Sequence, residues 1–177
     1  MIASSLAAAL LLGGLAARAA EADGGPAARP SLIVNGDFKG LDAPGRPAGW
    51  RLAETGVKVV TEGDIATLAL KTTEPSSTSA TQELVLDPSW GLLRFSYHVR
   101  VKAIAPGRES WHDARIALTF LGPDDKVNHH LVAGYWQKPT DGWVAVEQDV
   151  PIPAGAATVK ISPAIFEALA QLTHCES

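Results

Sequence analysis

Residues 92–104 read Leu-Leu-Arg-Phe-Ser-Tyr-His-Val-Arg-Val-Lys-Ala-Ile, and this stretch decides the fold. Leu93, Phe95, Tyr97, Val99 and Val101 alternate with Arg94, Ser96, His98, Arg100 and Lys102. Side chains alternate across a strand, so a period of two gives one core face and one wet face. The wet face carries Arg and His and suits a sheet lined for hydrogen bonding. An ordinary solvated face gives the same pattern.

Shorter apolar runs lie on either side. Strands are expected at Leu32–Asn35, Trp50–Leu52, Val57–Thr61, Ala66–Lys71 and Ala80–Leu86 before the long strand. After it come Ala114–Leu121, His129–Ala133, Trp143–Val150 and Ala157–Ser162. Gly122-Pro123-Asp124-Asp125, Asp141-Gly142 and Pro153-Ala154-Gly155-Ala156 supply turn chemistry between them. Strands at this spacing predict an all-β antiparallel sandwich or barrel. A helical period shows only at the end, where Ile165, Leu169 and Leu172 would share one face of a short helix.

The 177-residue chain is 46% hydrophobic and 19% charged, which argues for one folded domain rather than disorder. Its formal net charge of −4 speaks against nucleic acid or an anionic membrane as partner. Residues 1–20 are almost all Ala, Leu, Gly and Ser and end in the small-x-small pattern Ala17-Arg18-Ala19, so a signal peptide is expected. The basic start usual in such leaders is missing. Residues 21–30 read as a linker, 31–166 as the sandwich and 167–177 as a divergent tail. The single Cys175 cannot form an internal disulfide, so the fold must stand on its core.

Leu32-Ile33-Val34-Asn35-Gly36-Asp37-Phe38, followed by Gly49-Trp50, resembles the opening of carbohydrate-binding domains of families four, nine and twenty-two. Gln82–Leu86, Leu93–Val99, Gly142-Trp143-Val144 and Val150–Ala156 follow in the order of that resemblance. Trp111–Ile116 also looks like such domains at the front of bacterial cellulase-like glycoside hydrolases. The resemblance runs from Leu32 to Phe166 and implies a jelly-roll, galactose-binding-like sandwich. Such domains close with a further strand, commonly bearing an Asp-Asp pair. Residues 168–177 show no such pair, which raises the expectation of a lost last strand. The family's structural calcium often uses acids near both termini. Asp37 and Asp42 are present but the C-terminal contributor is not, so no cofactor is expected, with a structural calcium as the lesser alternative.

A sugar ring offers C–H faces to aromatic rings and hydroxyls to planar, multi-donor groups. Trp50, Trp143 and Tyr97 are expected in the core. Trp90, Trp111, Tyr135 and Trp136 stand beside polar residues in loops or at strand ends, and Trp111 and Trp136 are the expected stacking platforms. Arg115, Gln137, Arg94 and His98 are the expected hydrogen-bonding partners. Whether Arg94 and Arg115 share a face depends on register. The plain alternatives are aromatics that cap the sandwich and charges that pair on the surface.

No nucleophile elbow, H-E-x-x-H helix, P-loop or dinucleotide glycine pattern is present. His129 and His130 are adjacent, so on a strand they face opposite ways and would not share a metal. The expectation is therefore a secreted, monomeric, non-catalytic module that binds polysaccharide beside a glycoside hydrolase. The competing readings are a structural or adhesion sandwich, and a jelly-roll polysaccharide lyase suggested faintly by Ala133–Gln137.

Overall fold

The structure is a computed structural model that describes residues 31–172 and, before them, Ala8–Ala9 and Ala16–Ala19. The strands are β1 (Ala8–Ala9), β2 (Ala16–Ala19), β3 (Leu41–Ala43), β4 (Arg46–Pro47), β5 (Arg51–Leu52), β6 (Val57–Glu62) and β7 (Ile65–Lys71). They continue as β8 (Ser76–Val85), β9 (Leu92–Val99), β10 (Val101–Ala105), β11 (Ala114–Leu121), β12 (Val127–Trp136), β13 (Val144–Pro151) and β14 (Thr158–Leu172). The larger sheet runs β12–β11–β14–β8–β5, and β13–β9–β2 forms a smaller one. β3–β4 and β6–β7 are hairpins, and β10 and β1 flank the far end of β14. Apart from the parallel contact of β1 with β14, the pairs are antiparallel. The chain is an all-β jelly-roll sandwich.

Its core follows from the alternation. Leu93, Phe95, Tyr97 and Val99 of β9 are buried with Ile116, Leu118 and Phe120 of β11 and Val159 and Ile161 of β14. Burying a side chain of this size stabilises the fold by about 1.5–3 kcal/mol. Trp50 is buried against Phe38, their ring centroids 5.4 Å apart. Trp143 is half-buried, with the Arg100 guanidinium 4.4 Å from its ring centroid.

Three expectations need correction. The long strand is two strands: β9 pairs with β13, whereas β10 pairs with β14. The corner between them is pinned by Thr140, which accepts the Val101 N–H at its hydroxyl and donates its own N–H to the Val101 carbonyl. Leu32–Asn35 is not a strand but a bend at 32–33 running into a turn over 34–37. There the Gln82 side chain does the work of a neighbouring strand. Its carbonyl accepts the Val34 N–H at 2.8 Å, and its amide donates to the Val34 carbonyl at 2.9 Å. Residues 165–172 are not a helix but the end of β14, so the sandwich continues beyond Phe166 with a closing strand. Strand partners on both sides override the helical preference of an Ala- and Leu-rich segment.

β14 bends at Glu167, which has a φ of 42°, and its register with β8 shifts between Ile165 and Ala168. Before the bend it lies between β11 and β8; after it, it pairs with β10. Within the expected leader, Ala16–Ala19 pairs with β9. The linker 21–30 and Cys175 lie outside the described residues.

Candidate functional site

The outer face of the larger sheet can be read rung by rung from its register. One rung holds Tyr135, Arg115, Ala164 and Ser79. The next holds Val132, Ala117 and Ser162, then Thr81, whose hydroxyl is 2.9 Å from that of Ser162, then Arg51. A third holds His130, Thr119, Lys160 and Glu83. Small side chains occupy the middle of the second rung and larger ones stand at its margins, so the face forms a shallow trough. Four strand spacings of about 4.8 Å make it roughly 19 Å across.

At the β12 margin, Tyr135 and Trp111 are exposed by 65% and 51%. Arg115 sits opposite Tyr135 and donates from Nε and Nη2 to both carboxylate oxygens of Asp113, at 2.6 and 2.8 Å. Asp113 is buried, so this two-pronged pair fixes the guanidinium in place. Nη2 also donates to the Trp111 carbonyl at 2.8 Å, and the guanidinium lies 5.4 Å from the Phe166 ring centroid. Gln137 ties the neighbouring loop down by donating to the Ser110 carbonyl at 2.7 Å.

A bulge decides which aromatic faces outward. β12 loses register with β11 between the Arg115–Tyr135 and Ala117–Val132 pairs, where Gly134 has a φ of 135°. The extra residue reverses the alternation. Tyr135 turns outward beside Arg115, and Trp136 turns inward to meet Tyr97 edge-on, their centroids 6.3 Å apart. Trp136 is therefore half-buried against the core rather than a free stacking platform. A Cβ on Gly134 would collide with the Tyr97 hydroxyl and the Trp136 ring. The Tyr97 hydroxyl donates to the Ala133 carbonyl, as does the Gln148 amide, and both clamp the bulge. Burial pushes the Tyr97 hydroxyl well above its ordinary pKa.

At the opposite margin the trough opens into a groove of about 500 Å³ lined by Asp42, Arg46, Arg51, Thr81, Glu83 and the edge of Trp50. Its wall, the β3–β4 hairpin, is held by Asn35. That side chain donates to the carbonyls of Gly40 and Ala48 and accepts the Gly40 N–H. Gln82 and the Trp50 indole also donate to the Val34 carbonyl, and Gln82 reaches the Gly49 carbonyl. The groove residues Arg46, Arg51, Thr81 and Glu83 were not among the expected site residues. The outward series Arg115, Ala117, Thr119 was visible in the sequence; the hairpin wall was not.

The remaining expected site residues lie elsewhere. Trp90 is half-buried in the turn after β8, at the end of the sandwich opposite Arg115. Arg94 and His98 lie on the outer face of the smaller sheet, so Arg94 and Arg115 do not share a face. Arg94 donates to both oxygens of Asp149 at 2.7 and 2.9 Å, which holds that carboxyl below its usual range. Asp42 lines the groove and Asp37 accepts the Lys39 N–H. Among the described residues no three His, Cys, Asp or Glu side chains gather as a metal site.

No protein-family model matches the chain, and no curated protein does. Solved structures similar to it include the enzymatically active domain of tailspike protein 4 of bacteriophage CBA120, at 14% identity and a TM-score of 0.46. That match covers 80% of this chain and 21% of the tailspike domain, so the chain spans only about a fifth of its length. The xylan-binding CBM22-1 domain of Paenibacillus barcinonensis Xyn10C matches at 13% identity and a TM-score of 0.47, covering 78% of this chain and 92% of that one. The C-terminal family 22 carbohydrate-binding module of Clostridium thermocellum Xyn10B matches at 15% identity and 0.39, covering 80% and 94%.

Proposed function

We propose that this chain is a non-catalytic carbohydrate-binding module that holds a polysaccharide across the outer face of its larger sheet. One observation carries the reading: Trp111 and Tyr135 stand exposed beside a guanidinium fixed by buried Asp113, at the edge of a trough floored by small side chains. The rings pack against the C–H faces of sugars, and Arg115, Thr119, Ser162 and Thr81 serve the hydroxyls. The ligands in view are plant-type β-glucan, xylan and mannan. The module works as an exported monomer, and it raises the local concentration of a glycoside hydrolase at its substrate.

Affinity electrophoresis through gels containing each polysaccharide tests this. The wild-type chain is retarded by at least one of them, and W111A/Y135A migrates freely while its thermal unfolding is unchanged. Free migration of the wild type in every gel leaves only the structural or adhesion sandwich. A rise in ultraviolet absorbance from unsaturated sugar would instead establish a lyase.

A further inference from the structure

We infer that the groove at the β5 margin receives a carboxylate-bearing sugar, so that the glycan held by this face is a uronate-containing polysaccharide. The inference rests on the glycan-binding reading above and narrows it to a class of ligand. The groove brings Arg46 and Arg51 together on one wall system, with the Thr81 hydroxyl beside them. Arg51 reaches Glu83 only at 3.9 Å, and the same carboxylate oxygen is 3.7 Å from Lys160. One negative charge is thus shared between two cations. Arg46 is exposed and forms no ion pair among the described residues.

The groove itself holds two guanidinium groups against Asp42 and Glu83, and Lys160, outside its lining, draws on Glu83 from the neighbouring strand. Guanidinium groups match a carboxylate with two parallel N–H donors, which a neutral hydroxyl cannot match as well. Exposed ion pairs as long as these add little to stability, so a ligand carboxylate can displace Glu83 from Arg51 at small cost. The hairpin wall is already fixed by Asn35 and Gln82, and binding need not order it.

The test compares one polymer in two states: a glucuronate-substituted xylan, and the same xylan with its carboxyls reduced to primary alcohols. Hydrogen bonds to a charged partner are worth enough to predict a Kd about tenfold lower for the acidic polymer. R46A/R51A should bind both polymers equally, and R46K/R51K should keep part of the preference. The β-sheet circular dichroism of each variant is recorded alongside. Free glucuronate should compete with the acidic polymer against the wild type but not against R46A/R51A. Equal affinity of the wild type for the two polymers, or a full preference surviving in R46A/R51A, overturns the inference and leaves the glycan reading standing. No binding to either polymer, or to any other glycan, overturns both.

Discussion

On the outer face of the smaller sheet, Arg94 spends its donors on both oxygens of Asp149, and Arg100 lies over the Trp143 ring. On the outer face of the larger sheet, Ala117, Ser162 and Thr81 leave the middle low while Tyr135, Trp111, Arg46 and Arg51 stand at the margins facing solvent. Both faces are wet and both carry arginines. They differ in relief and in the rings they expose: the larger face has a low middle rung with Tyr135 and Trp111 at its margin, while Arg115 is held by Asp113 much as Arg94 is held by Asp149. An arginine held by a carboxylate of the fold serves structure on either face, and a depression edged by exposed rings is what remains for a ligand.

The largest expected effect is at the bulge that divides the two roles of β12. Gly134→Val forces a side chain into the space of Tyr97 and Trp136 at a backbone conformation that L residues rarely adopt. It should cost about 2–3 kcal/mol in urea unfolding and abolish glycan retardation together, because the same bulge orders the core and aims Tyr135. Next, Ala117→Trp fills the trough floor. It should reduce polysaccharide affinity more than tenfold while changing stability by no more than about 0.5 kcal/mol, since the position faces outward. If affinity survives that substitution, the distinction between the faces fails.

Tyr97→Phe removes a buried hydrogen bond to Ala133 and should cost about 1 kcal/mol. Its pH signature is more telling. Burial raises the folded-state pKa above the ordinary 10.0, so this contribution is fully present below that pH. It is lost as the pH climbs further, because the unfolded chain ionises while the buried ring resists. Alkaline unfolding scans should show this slope in the wild type and not in the variant. The smallest effect is Arg94→Ala. Arg94 holds Asp149 below the usual 3.8, so its stabilisation is present above that pH and lost as the pH falls below it. The variant should unfold slightly earlier at neutral pH, converge on the wild type in strong acid, and bind glycan normally.

The fold was largely legible because burial imposes its period directly on the chain. Leu93, Phe95, Tyr97 and Val99 announced a core face, and all four are buried. The site was less legible, for two physical reasons. Alternation marks a wet face but not its partners, so Arg94 and His98 looked as promising as Arg115. A single inserted residue at Gly134 reverses the parity of everything after it, which exchanges the roles of Tyr135 and Trp136. The groove formed by Arg46 and Arg51 depends on where a hairpin folds against β5 and β8, a contact between segments about 30 residues apart. The C-terminal strand was missed because its Ala- and Leu-rich composition favours a helix until neighbours on both sides claim its backbone.

β14 bends at Glu167 and gains β10 as a partner within the larger sheet, while the chain passes from β9 of the smaller sheet into β10 of the larger one at Arg100. The two layers are thus laced by continuous backbone and cannot open like a book. Their amides should exchange with solvent as one cooperative unit, and a ligand lying in the trough meets a plate of fixed curvature.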